Sequence, residues 1–144
     1  MYLRGEYRHK LDAKGRLSLP APFRKSLEKN LVITLSPDEQ FLMVFEDKGF
    51  EKWVDDLFVV NGEGFKANNL AQAAQRKKLN ARARDVELDN SGRLGIPIDQ
   101  REAVSLEKEV VLIGDADHFE VWDAKRWDDY SDAVDLSQLF VEKS

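Results

Sequence analysis

Tyr2 to Leu11 reads as a strand, with apolar Leu3, Tyr7 and Leu11 set among polar neighbours. Asp12-Ala13-Lys14-Gly15 then breaks the pattern as a tight turn, and Arg16-Leu17-Ser18-Leu19 alternates as a second strand that Pro20 stops. Pro22 suits the first turn of a short helix whose Phe23 and Leu27 share a face, and Asn30 is its expected end. Leu31–Leu35 and Phe41–Phe45 are short apolar strands joined by the hairpin connection Ser36-Pro37-Asp38-Glu39-Gln40. Glu46 and Asp47 open a helix with negative charge at its N-terminus. Its Phe50, Trp53, Val54 and Leu57 form a stripe that predicts a core-facing side.

After Asn61-Gly62-Glu63-Gly64 an Ala- and Gln-rich segment, Phe65 to Leu79, predicts a helix, and then the first half's order returns. Ala81 to Leu88 predicts a strand, Asp89-Asn90-Ser91-Gly92 a turn, and Arg93 to Ile96 a strand. A short helix follows Pro97, then a hairpin of Val110–Ile113 with Phe119–Trp122. Asp123 caps a last helix carrying Trp127, Tyr130 and Val134. A constant offset of 77 carries Asp12 to Asp89, Arg16 to Arg93, Arg24 to Arg101, Phe45 to Trp122 and Trp53 to Tyr130. Agreement of turn, strands and helix stripe in one register marks a duplication. Two such units pack around a pseudo-twofold axis within one chain. The expected organisation is a first repeat over 1–60, a helical linker over 61–79, a second repeat over 80–135 and a tail over 136–144. The tail, with Leu139, Phe140 and Val141, either docks on a neighbouring copy or stays loose.

The chain has 144 residues and no cysteine, which excludes a disulfide framework, a thiolate nucleophile and a zinc–thiolate site. No secretory signal core and no membrane-length apolar run is present, so a cytoplasmic protein is expected. The net charge of −5 is unevenly spread. Residues 1–25 carry Arg4, Arg8, Lys10, Lys14, Arg16, Arg24 and Lys25 against Glu6 and Asp12, whereas the region from Asp115 to Asp135 is strongly acidic. The basic groups surround the first turn, so one face suits an anionic partner although the whole chain is acidic.

The paired Asp-x-x-x-Arg signatures, Asp12-Ala13-Lys14-Gly15-Arg16 and Asp89-Asn90-Ser91-Gly92-Arg93, resemble those of the MraZ family. Val44-Phe45-Glu46 and Glu120-Val121-Trp122, each followed by an aromatic helix, fit it too. The family is similar to AbrB-type swapped-hairpin transcription factors. The resemblance therefore implies an α+β fold, mainly β with short helices, made of duplicated AbrB-like swapped-hairpin units (double-split β-α-β). It also implies a transcriptional regulator that binds double-stranded DNA at short tandem repeats in the promoter of its own cell-division and cell-wall gene cluster. Such a protein is nucleoid-associated and assembles into a homo-oligomeric ring. The sequence departs from the family pattern in carrying Ser91 where the first turn has Lys14, and in the unusually basic Leu79–Arg84.

Arg16 and Arg93 are the expected base readers, because a two-stranded ribbon fits the major groove and Arg pairs with guanine there. Lys14, the Gly15 amide, Arg4 and Arg8 are expected phosphate or groove-edge contacts. Asp12, Asp89 and Gly92 are expected to shape the turns, since a carboxylate facing phosphate is repelled. Catalysis is not expected. An aspartic-protease dyad needs Gly two residues after Asp, and here it lies three after in both copies. His9 and His118 lack metal-ligand spacing and read as ordinary strand residues, and no phosphate-cradling glycine loop, cofactor or small-molecule substrate is indicated. The competing reading is an oligomeric protein-interaction scaffold that uses the acidic end and ignores DNA.

Overall fold

The computed structural model describes residues 1–141, so the end of the expected 136–144 tail lies outside the described residues. The first half runs β1 (Glu6–Lys10), β2 (Arg16–Ser18), α1 (Ala21–Ser26), β3 (Asn30–Leu35), β4 (Leu42–Glu46) and α2 (Asp47–Leu57). After α3 (Leu70–Ala81), the second half repeats it: β5 (Arg84–Glu87), β6 (Arg93–Gly95), α4 (Ile98–Ala103), β7 (Glu109–Asp115), β8 (His118–Asp123) and α5 (Ala124–Asp132). A short α6 (Ser137–Val141) follows.

The halves interlock. One six-stranded sheet has the order β1-β7-β8-β4-β3-β5, so the first strand of each half pairs with the hairpin of the other. A separate two-stranded ribbon joins β2 to β6. The pseudo-twofold axis can be read from the register. Leu17 pairs with Leu94 in the ribbon and Met43 with Glu120 at the centre of the sheet, and each pair is related by the 77-residue offset. The fold is thus the α+β, mainly β, duplication with exchanged strands that the family resemblance implied.

Alternation along the strands creates two cores. Leu42, Val44, Phe119 and Val121 point to the sheet face covered by the ribbon, α1 and α4, where they meet Leu17, Leu94 and Phe23. Met43 and Phe45 point to the other face and pack against Phe50, Val54 and Phe58 of the α2 region. Each fully buried side chain of this size contributes about 1.5–3 kcal/mol relative to exposure.

Four local expectations need correction. Asn30 does not end the first helix. That helix stops at Ser26, where Leu27 turns extended and donates its N–H to Phe23, and Asn30 opens β3 instead. Leu57 is exposed, and Phe58 at the helix C-cap takes its place in the core. The linker helix starts at Leu70 rather than Phe65, because the Asn69 side chain accepts the Gln72 N–H as a cap. It also runs on to Ala81, which delays the following strand to Arg84. Finally, Tyr130 and Val134 lie at the surface and Trp127 is only half-buried, so α5 covers the sheet less completely than its stripe implied.

Candidate nucleic-acid interface

Each Asp–Gly turn is closed by its own backbone. Asp12 N–H donates to the Arg16 carbonyl and Gly15 N–H to the Asp12 carbonyl, both at 3.0 Å, and Asp89–Arg93 repeats the arrangement at 3.0 and 2.9 Å. Gly15 and Gly92 take φ +75° and +73°, a left-handed conformation that strains any residue with a side chain. The carboxylates fill the turn interiors. Asp12 Oδ1 accepts the N–H groups of Lys14 and Arg16 at 2.9 and 2.8 Å, and Asp89 Oδ1 accepts those of Ser91 and Arg93, both at 2.9 Å. These bonds stabilise the ionised form. The backbone N–H of Arg16 is the main cause that holds Asp12 below its ordinary value, and Arg93 N–H does the same for Asp89.

The remaining oxygen of each carboxylate takes hold of the arginine. Asp12 Oδ2 accepts from Arg16 Nε at 2.7 Å and Asp89 Oδ2 from Arg93 Nε at 2.9 Å. The ion pair within the turn is therefore present in both copies. It uses only Nε, and among the described residues neither pair of Nη atoms makes a hydrogen bond. Each guanidinium is gripped at its inner edge and offers its outer fork, the edge that forms bidentate contacts.

The ribbon sets the direction of both forks. Arg16 faces Gly95 and Ser18 faces Arg93, so the two arginines lie diagonally on one face, about 7–8 Å apart by strand geometry. Leu17 and Leu94 occupy the opposite face and are fully buried. The ribbon extends at each end, where Ile96 N–H donates to the Gly15 carbonyl and Leu19 N–H to the Gly92 carbonyl. Gly95, opposite Arg16 on the outer face, has open space where a side chain would stand.

The fold brings Arg16, Arg93, Lys14 and Gly15 together with the turn-shaping Asp12, Asp89 and Gly92. Lys14 is exposed at the tip of its turn, while Gly15 is covered. Arg8 and Arg4 lie apart from this group. Arg8, on β1, donates to Asp128 of α5 at 2.6 Å and to Glu6 at 3.2 Å. Arg4 sits beyond the opposite end of β1 from the turn, with its backbone against Gly114 and its guanidinium 5.3 Å from the Tyr2 ring. Two arginines that the turn motif does not single out join instead. Arg101 of α4 lies against Gly15, and Arg24 of α1 lies against Gly92, so each half's helix covers the other half's turn. Arg101 is steadied by donating Nε–H to the Ile96 carbonyl at 3.1 Å. The available signal was their matched position, eight residues after each turn arginine.

The described residues contain no helix long and apolar enough to cross a membrane. The family model for the MraZ protein matches residues 2–80 and again 79–142. The chain is 35% identical over 135 residues to "Transcriptional regulator MraZ" of Natranaerobius thermophilus, covering 92% of this chain and 89% of that one. It is 40% identical over 129 residues to the protein of the same name from Mycobacterium sp. (strain KMS), covering 90% and 86%. A Nocardioides relative of that name is 38% identical over 130 residues, covering 88% and 84%. Doubled Asp-x-x-x-Arg turns on an interlocked pair of half-units, together with these matches across both halves, place the chain in the MraZ family of transcriptional regulators.

Proposed function

We propose that the outer face of the β2–β6 ribbon enters the major groove of double-stranded DNA, where Arg16 and Arg93 read guanine edges through their Nη forks. The observation that carries this reading is that both forks are unbonded among the described residues, share one face, and stand on a ribbon whose other face is locked in the core. A reader built this way loses little side-chain freedom on binding, because Asp12 and Asp89 already fix the arginines. Lys14 and the flanking Arg24 and Arg101 are suited to phosphates, whereas the Gly15 amide is spent on the Asp12 carbonyl inside the turn. Arg4 and Arg8 are not needed for it.

The target we infer is a set of short tandem repeats in the promoter of the chain's own cell-division and cell-wall gene cluster, read at the nucleoid. A few basic contacts on an acidic chain bind weakly, so several copies acting together, as in a ring, supply the affinity through effective concentration. Exposed Tyr130, Val134, Leu136, Leu139 and Phe140 on and after α5 favour contact between copies. Repeats about 10 bp apart place successive boxes on one face of the duplex, matched to adjacent subunits.

Electrophoretic mobility of the native upstream fragment, beside a version with its boxes scrambled, tests the proposal. The expected result is a shift with the native fragment only, lost in Arg16→Ala while the mass of the assembly is unchanged. Equal affinity for both fragments, or full binding by Arg16→Ala, overturns it, and no shift with either fragment favours the protein-scaffold reading.

A further inference from the structure

On the sheet face opposite the ribbon, β7 and β8 meet in a tight hairpin whose strand ends pair Asp115 with His118. His118 and Glu120 are two residues apart on β8 and so share this face, and both are more than nine-tenths buried. The Asp117 carboxylate lies 2.9 Å from His118 Nδ1, which orients the ring and turns Nε2 away from it. Nε2 faces Glu120 Oε2 at 2.9 Å and Asp115 Oδ2 at 4.0 Å. The other Glu120 oxygen accepts the Trp122 indole N–H at 3.0 Å. One ligand atom from each of Asp115, His118 and Glu120 thus lies within 4.8 Å of the others.

The duplication supplies an internal comparison. The positions related by 77 residues to His118 and Glu120 are Phe41 and Met43. Phe41 stacks on Trp122 with centroids 4.4 Å apart, and its counterpart His118 lies against Phe45 at 5.0 Å. The scaffold therefore packs well with apolar groups at these positions, and in the second half a buried imidazole and a buried carboxylate stand in their place. Such a replacement costs stability unless the groups are compensated. Three carboxylates surround one imidazole, and Lys52 of α2, which feels the charge of Asp117, is itself engaged by Asp56. Negative charge is in excess.

We propose that Asp115, His118 and Glu120 form a binding site for a divalent transition-metal cation of the Zn2+ type. Ligands around such an ion at about 2.0–2.1 Å stand about 3.3 Å apart in a tetrahedron, between the two distances observed from Nε2. One nitrogen and two oxygens suit Zn2+ or Mn2+ better than Mg2+ or Ca2+, which favour all-oxygen sites. The supporting shell is that of known metal centres, with Asp117 on the far nitrogen of the histidine and Trp122 on the far oxygen of the glutamate. Asp115 is exposed, so an ion enters from solvent and keeps water as a further ligand. Sequence spacing hid the site because the ligands come from both strands of a hairpin, in the order Asp-x-x-His-x-Glu.

The test is calorimetric titration of the chelator-stripped full chain with Zn2+, with Co2+ absorption as a second readout. One ion per chain is expected, with affinity reduced at least tenfold in Asp115→Asn and in His118→Gln and unchanged in His9→Gln. Co2+ should give visible bands of low-symmetry nitrogen–oxygen coordination that vanish in Asp115→Asn. If His118→Gln does not fold, Asp115→Asn decides alone, because its side chain lies outside the core. Absence of saturable one-to-one binding, equal affinity in Asp115→Asn, or loss in His9→Gln overturns the proposal.

Discussion

The guanidinium of Arg101, from the second half of the chain, lies where a side chain on Gly15 of the first half would have to go. Gly15→Ala therefore meets two penalties, a left-handed φ of +75° and displacement of that guanidinium. The backbone part alone costs about 1–2 kcal/mol. Urea unfolding should show a loss of that size or somewhat more, and Arg101→Ala on the same background should recover only the steric part. Gly92→Ala should behave alike with Arg24 as its obstacle.

Asp12 and Asp89 should titrate below the ordinary 3.8 when followed by carboxyl NMR shifts. Because the folded value is depressed, each ionised turn adds stability that is complete above the unfolded value and is lost as pH falls through the folded one. Protonation also releases the arginine. Acid should therefore loosen both turns together, and Asp12→Asn should remove the first turn's share of this dependence. A midpoint at or above 3.8 for either residue would refute the hydrogen-bonding scheme.

Leu17 and Leu94 form the inner face of the ribbon and have no solvent exposure. Leu94→Ala should cost about 2–5 kcal/mol through lost burial and a residual cavity. If the ribbon reads DNA, the same variant should weaken specific binding even below its melting temperature, since the two forks lose their common platform.

Phosphate contacts are separable from base contacts by salt. Lys14→Ala should lower the slope of log affinity against log salt by about one for each first-half turn engaged. Ser91→Lys should raise it where the second turn also meets a backbone. Arg8→Ala should leave the slope unchanged, since Arg8 is directed to Asp128 and Glu6. A fall as large as that of Lys14→Ala would return Arg8 to the interface.

Local chemistry made the turns legible. Asp, Gly and Arg at fixed spacing specify a carboxylate-filled bend, and the same three residues 77 positions later specify its twin. The partnership of strands was not legible in that way. That β1 joins β7 and β5 joins β3 depends on how two halves dock, and strand patterns alone do not encode which hairpin a strand will choose. The exchange of Leu57 for Phe58 has a smaller cause: the helix ends there, so the periodicity used to pick the core face no longer applies. Arg24 and Arg101 were hidden for the first reason. Each lies on its own half's helix, and only the exchange of halves sets it on the other's glycine. His118 shows the converse, an ordinary strand position that a hairpin places beside three acids.

The crossed β1–β7 and β3–β5 pairing also bears on how such a chain can be divided. A half released by cutting near Gly62 would carry an orphan strand, half a ribbon and an uncovered bend, all of which another identical half could complete. Covalent linkage turns that bimolecular meeting into an intramolecular one, so the ribbon survives dilution that would dissociate two separate halves. Once the halves are joined, they are free to diverge, and Ser91 opposite Lys14 and His118 opposite Phe41 are places where they have.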